Sequence, residues 1–245
     1  MRWTFPLALT FLTICPWPRP ALARPEELAR SMFWFPWVGA ILGLVFWAVH
    51  LALAQTLPPL PAAGLLLTVT VIVTRGLHLD GLADTLDGLG GGRTPESRLA
   101  IMKDSRLGAF GAMALVLVLV LKFAFFSALG AKGKEPMLIL FPVLSRWGMV
   151  LLAAVSPYAR SEGGLGQAMT EGVSLGTVGC ATLSSLALTY IVSGIHGLPL
   201  LAGAGLLVLL LNRFFRRKLG GITGDALGAT NELLEVAVLA GVFLL

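Results

Sequence analysis

A chain of 245 residues with 56% apolar and only 13% charged side chains is poorly suited to water, since an average soluble domain carries about 25% charged residues. Its net charge of +5 does not point to nucleic acid, because the basic residues concentrate in loops between apolar blocks, as membrane orientation requires. Composition therefore excludes a soluble globule and predicts an all-α, polytopic integral membrane helical bundle.

The N-terminus begins with Arg2, an apolar run over residues 3–15 and Ala21-Leu22-Ala23, which together imitate a secretory signal. Pro6, Pro16, Pro18 and Pro20 crowd that run, which is also too short to span a bilayer. We expect residues 1–31 to stay attached as an interfacial or re-entrant segment of a single membrane-embedded catalytic domain covering 1–245. Cys15 and Cys180 have no His or Cys partner at ligand spacing, so both are expected as small core hydrophobes.

Apolar segments follow at 32–57, 60–74, 107–129, 136–158, 173–192, 198–211 and 233–245, which predicts six or seven spans, some of them tilted or broken. With the N-terminus inside, fourteen of the 18 basic residues fall on one side, and only Lys132 and Lys134 on the other. That side is the cytoplasm. Asp80, Asp84, Asp87, Glu96, Asp104, Glu162, Glu171, Asp225 and Glu232 map to the same face, although acidic residues do not set orientation. A polar site built from several loops is expected there.

Three stretches carry chemistry. In Gly76-Leu77-His78-Leu79-Asp80-Gly81-Leu82-Ala83-Asp84-Thr85-Leu86-Asp87-Gly88, helical geometry puts Asp80, Asp84 and Asp87 on one face, within about 60° of one another. Carboxylates so placed repel unless a cation lies among them, and hard oxygen donors suit Mg²⁺. His78 projects from nearly the opposite face. It is read as either a structural or a catalytic histidine.

The second stretch is Ile101-Met102-Lys103-Asp104-Ser105-Arg106-Leu107-Gly108, where Lys, Ser and Arg suit phosphate oxygens. Lys and Arg at a helix end also anchor membrane proteins, but Asp104 is not needed for anchoring. The third is Gly220-Gly221-Ile222-Thr223-Gly224-Asp225-Ala226-Leu227-Gly228 continuing to Glu235. Its glycines allow backbone amides to approach phosphate, and Asp225 is a metal ligand or a helix cap. Lys122 and Arg146 lie inside apolar blocks, where charge is expensive, and Arg146 is an anion contact or half of an internal ion pair. Arg160, in a glycine-rich turn with Glu162, is a further substrate candidate.

These stretches resemble the cobalamin synthase family, also called adenosylcobinamide-GDP ribazoletransferase. The matching pieces are Phe35-Pro36 with Gly39 and Gly43, residues 76–88, residues 101–108, Tyr158-Ala159-Arg160, and Gly220-Gly221 through Glu235, in order over nearly the whole chain. Two departures stand out. Arg75 occupies a position usually glycine in the family, and the Glu162-Gly163-Gly164-Leu165-Gly166 run is one glycine longer than in some members.

The resemblance implies a multi-pass inner-membrane enzyme with its active site facing the cytoplasm, joining adenosylcobinamide-GDP to α-ribazole or its 5′-phosphate with Mg²⁺ and releasing GMP. A ribazole hydroxyl would attack the phosphorus on the cobinamide arm. Asp80, Asp84 and Asp87, with Asp225, are then expected as metal ligands. Lys103, Ser105, Arg106, Arg146, Arg160, Thr223 and Gly224 would face the substrate, and Asp104 and His78 are the candidate bases. The partners implied are the two small-molecule substrates and the lipid bilayer, without nucleic acid, and a homo-oligomer is allowed.

Two other classes compete. A CDP-alcohol phosphotransferase also places aspartates near the cytoplasmic face, but its signature puts Ala-Arg four residues after the first Asp, where Asp84 stands here. A transporter would explain Lys122 and Arg146 without any reaction, but would not need metal-ligand spacing on one face.

Overall fold

The computed structural model describes residues 4–17, 24–130, 134–163 and 165–244. Arg2, Arg19, Ala21-Leu22-Ala23, Lys132 and Gly164 lie outside these described residues. The helices are α1 (Thr4–Leu12), α2 (Pro25–Ser31), α3 (Phe35–Ala54), α4 (Pro59–Thr74), α5 (Leu77–Gly91), α6 (Pro95–Ile101), α7 (Ala109–Ala128), α8 (Leu140–Val155), α9 (Leu165–Glu171), α10 (Leu175–Ser193), α11 (Leu198–Leu219) and α12 (Gly224–Val242). Among the described residues the fold is all-α, with one isolated parallel bridge between Tyr158 and Ile222.

Sequence punctuation sets the boundaries. Pro36, Pro59 and Pro95 each open a helix where a missing N–H costs nothing. Thr94, Ser174 and Thr223 cap α6, α10 and α12 by each accepting the backbone N–H three residues on. Between α4 and α5, Arg75 and Gly76 both adopt left-handed conformations, at φ 55° and 62°, and the chain turns by 88°.

By length and hydropathy, Pro25–Ala54, Ala109–Ala128, Glu135–Val155 and Leu175–Leu219 can each cross a membrane, and the bent pair α4–α5 is a fifth, broken span or a re-entrant loop. The chain is a multi-pass membrane protein. The expected six or seven spans counted α10 and α11 separately and added α12. Trp147 of α8 donates to Thr182 of α10 at 2.9 Å, and its ring also lies against Gly205 of α11, so both helices flank α8. α12 holds Asp225, Glu232 and Glu235. It is an interior helix whose residues are mostly buried.

The core runs along α8, buried over most of its length, between α3 and α12. A Cβ on Gly39 would stand 2.4 Å from the Pro142 carbonyl oxygen, so α3 and α8 touch backbone to backbone, a small-residue contact suited to helices in lipid. Outward faces of α7 and α10 expose Val116, Leu117, Val120, Leu183 and Ile191. Cys15 and Cys180 are also exposed, which corrects their expected core placement. Where apolar surface faces lipid, hydropathy does not separate inside from outside.

Candidate active site

The site forms where α5 crosses the first turn of α12. A Cβ on Gly81 would lie 2.8 Å from the Asp225 carbonyl oxygen and 3.0 Å from its Cα, and one on Gly228 would lie 3.3 Å from the Cα atoms of Gly81 and His78. Hydrogen at Gly81 is what allows this approach, and Gly228 leaves little room for more. It sets Asp80 and Asp84 beside Asp225: Asp84 lies in the fields of Asp80, Asp225 and Asp87, with Arg160 as the opposing cation.

Arg160 reaches the site from the segment after α8. Its Nη2 donates to Asp225 Oδ2 at 2.7 Å and to the Met102 carbonyl at 3.5 Å. The bridge steadies it, with Ala159 N donating to Ile222 O and Ile222 N to Pro157 O, each at 2.9 Å. Thr223, buried, accepts from Ala226 N at 3.1 Å and donates to Asp225 Oδ2 at 3.3 Å. An open cavity of about 300 Å³ is lined by His78, Asp80, Arg160, Gly224 and Asp225, with Phe11 of α1 on its wall.

Asp80 is exposed, Asp84 half-buried and Asp87 buried, so the shared face runs from the cavity into the protein. Asp87 differs in role from the other two. Its Oδ2 accepts from Gly108 N and its Oδ1 from Gly111 N, both at 2.8 Å. It thereby caps the first turn of α7, where the helix dipole favours an anion. A Cβ on Gly108 or Gly111 would stand 2.3 or 2.4 Å from an Asp87 oxygen, which explains both glycines. Spacing alone had grouped Asp87 with the metal ligands, because helical angle does not report depth.

The loop that Asp87 anchors carries Lys103, Asp104, Ser105 and Arg106. Lys103 pairs with Glu162 across the site's rim. Arg106 donates to both Asp104 oxygens, at 3.0 Å to Oδ1 and 2.5 Å to Oδ2, and these hydrogen bonds hold the Asp104 carboxyl down at about 2. The Lys103 ammonium likewise lowers Glu162 below the ordinary carboxylate range. Ser105 and Arg106 are exposed. They stand outside the residues lining the cavity.

Arg146 does not reach the cavity. It is 1% exposed, its Nη1 donates to Ser145 Oγ at 2.9 Å, and it pairs with Glu235. Lys122 Nζ stands 2.5 Å from Glu232 Oε2 and 2.5 Å from Glu235 Oε2, and Asn231 donates to Glu235 Oε1 at 3.0 Å. Arg146 thus belongs to an internal ion network rather than an anion contact. Glu232 is buried in the same network rather than on the polar face, because a charge amid apolar helices is stable only when matched. His78 sits between network and cavity, 2% exposed, with neither ring nitrogen hydrogen-bonded.

Sequence reasoning missed Phe11 and Gly111, and it named Gly108, Glu232 and Glu235 without their partners. The glutamates carried a signal: Glu232 and Glu235 stand three apart, one face of a helix, in a chain whose apolar blocks also hold two unmatched cations.

Among the described residues no three His, Cys, Asp or Glu side chains form a ready-made metal cage. The donors at the crossing nonetheless fit Mg²⁺, which takes one or two carboxylates and completes its shell with water and substrate phosphate. Asp80, Asp84 and Asp225 meet one guanidinium there, which leaves negative charge in excess.

The family described as cobalamin-5-phosphate synthase matches residues 4–243. The chain belongs to that family. It is 45% identical over 242 residues to a protein of Syntrophobacter fumaroxidans, covering 96% of each chain. It is 43% identical to one of Desulfitobacterium hafniense, covering 97% of this chain and 95% of that one, and 42% identical to one of Ectopseudomonas mendocina, covering 95% of each. All three relatives are named adenosylcobinamide-GDP ribazoletransferase. No solved structure matches the chain.

Proposed function

We propose that this chain joins adenosylcobinamide-GDP to α-ribazole or its 5′-phosphate at the α5–α12 crossing, with Mg²⁺, releasing GMP. The observation that carries the reading is the convergence of Asp80, Asp225 and Arg160 at one cavity, with Asp84 in the field of all three, in a chain similar along its whole length to proteins named for that transfer. A ribazole hydroxyl oxygen bonds to the phosphorus on the cobinamide arm, the pyrophosphate bridge breaks, and GMP leaves. Phosphoryl transfer asks a protein for positioning and charge neutralisation more than covalent help.

Asp80, Asp84 and Asp225 would hold the cation, which when bound would neutralise phosphate oxygens as charge develops. Arg160 orients one phosphate, and the backbone of Gly224 at the start of α12, which lines the same cavity while Thr223 is buried beneath it, faces another. Lys103 and Arg106 guard the rim. For the hydroxyl proton, Asp104 is a poor acceptor with both oxygens on Arg106, and His78, although it lines the cavity, has both ring nitrogens buried. The basic asymmetry of the loops supports a cytoplasmic orientation for this face, in a protein of the inner membrane.

The transporter reading loses its support, since Lys122 and Arg146 are matched internally by Glu232 and Glu235. The deciding assay follows GMP release from adenosylcobinamide-GDP by purified protein, with and without ribazole and with and without Mg²⁺. Release that needs both supports the proposal, and none under any condition contradicts it.

A further inference from the structure

The residue that turns α4 into α5 is strained by its side chain's presence. Arg75 has φ 55°, a left-handed conformation costly for any residue with a Cβ and free for glycine. Its guanidinium reaches back more than sixty residues in sequence, with Nη2 donating to the carbonyls of Thr10 at 3.0 Å and Phe11 at 3.2 Å. Those carbonyls belong to the last turn of α1, where no intrahelical donor remains for them. A cation at that end also opposes the helix dipole. One further bond joins the same two elements: Ile14 N donates to Val73 O at 2.8 Å.

What this clamp holds is a wall of the cavity. Phe11 lines it together with His78, Asp80, Arg160 and Asp225, and its ring stacks on Phe35 with centroids 6.1 Å apart. Leu12 and Thr13, just beyond, are buried at 0% and 4% exposure. The Arg75 backbone also fixes the start of α5, only five residues before Asp80. A single residue therefore ties the position of the aspartate helix to that of the segment that walls the cavity opposite it.

We infer that Arg75 is a positioning residue, whose guanidinium caps α1 and so holds Phe11 in place as a wall of the substrate cavity. The proposal rests on the reading of that cavity as the transfer site. Arg75→Gly is the informative change, because it removes the clamp while relieving the backbone, so that loss of the clamp is not compounded by strain at φ 55°. Arg75→Lys keeps a cation at the helix end without the two-carbonyl reach.

The test uses the full chain in Cys15→Ser, Cys180→Ser background, with Thr13→Cys as a buried reporter of nearly unchanged size. Two quantities are read: the rate of maleimide labelling of the reporter, and KM against kcat for adenosylcobinamide-GDP. Arg75→Gly is expected to speed labelling and raise KM, each about tenfold, the scale of losing a charged cap at a helix end, with kcat within about twofold. Arg75→Lys is expected to fall between Arg75→Gly and the parent in both. Labelling as slow as in the parent would overturn the clamp. Faster labelling with unchanged KM would overturn Phe11 as a substrate wall while leaving the clamp standing. Failure of the underlying reading shows separately, as absence of GMP release from the parent itself.

Discussion

Helix α12 carries two groups of charge that obey opposite rules. Near its middle, Glu232 and Glu235 meet Lys122 and Arg146, two anions with two cations, all at most 4% exposed. At its first turn, Asp225 meets Asp80, Asp84 and one guanidinium beside an open cavity. The inner group is closed, and the outer one is left with negative charge to be matched from outside. Burial explains the contrast: charges without access to water must be neutralised within the protein, whereas a binding site works because it is not. Asp87 belongs with the inner group in this respect, satisfied by two backbone amides.

The comparison breaks most visibly at Glu235. Glu235→Ala leaves Arg146 and Lys122 short of an anion and is expected to cost about 3–5 kcal/mol, seen as loss of folded protein on thermal unfolding in detergent. Replacing Lys122, Arg146, Glu232 and Glu235 together by apolar residues of similar volume is expected to recover most of that stability, as closed buried networks usually permit. An equal loss in both variants would make the network more than a neutralising device.

Asp87→Asn sharpens the division between the three aspartates. It turns one acceptor of a backbone N–H into a donor and is expected to cost about 1.5–3 kcal/mol, the scale of a hydrogen bond to a charged group, while the Mg²⁺ concentration for half-maximal activity stays within about twofold of the parent, too small a change to mark a lost ligand. A large rise in that concentration would put Asp87 among the ligands after all.

Gly81→Ala tests the crossing itself. Its methyl would meet the Asp225 backbone at 2.8 Å, so α5 and α12 must separate, at about 1–3 kcal/mol, and turnover should fall more than that loss of folded protein explains. The smallest effect concerns pH. Asp104 is depressed to about 2, so the stabilisation from its contact with Arg106 is present above the ordinary carboxylate range and fades only as pH falls through it toward 2. Asp104→Asn is expected to leave the pH profile of turnover unmoved from about pH 5 to 8. A shifted acid limb would return Asp104 to the list of bases.

The apolar blocks and the aspartate helix were legible in the sequence because both are local: hydropathy marks the former and helical periodicity the latter. The convergence of residues 76–88, 160 and 225 was legible only as a shared side of the membrane, with the α5–α12 contact hidden in Gly81 and Gly228. Depth was not legible. A helical wheel gives Asp84 and Asp87 nearly equal standing, and only the packing of α7 against α5 shows that Asp87 faces amides. The partners of Lys122 lie 110 and 113 residues away, beyond any periodic signal. The N-terminal run reads as an interfacial or re-entrant segment, but its tertiary partners were not legible: α1 is largely buried, and its C-terminal carbonyls are tied to Arg75.

The most direct measurement is the turnover of Asp84→Asn, assayed as GMP release in parallel with the parent over a range of Mg²⁺. Asp84 is the carboxylate with anionic neighbours on both helices, and asparagine keeps its shape while removing its charge. Turnover is expected to fall roughly 10²-fold or more, the scale of losing one preorganised electrostatic group, with folded yield unchanged and the parent silenced by chelation. Near-parental turnover in Asp84→Asn, or full parental activity under chelation, would contradict a cation-assisted transfer at the α5–α12 crossing.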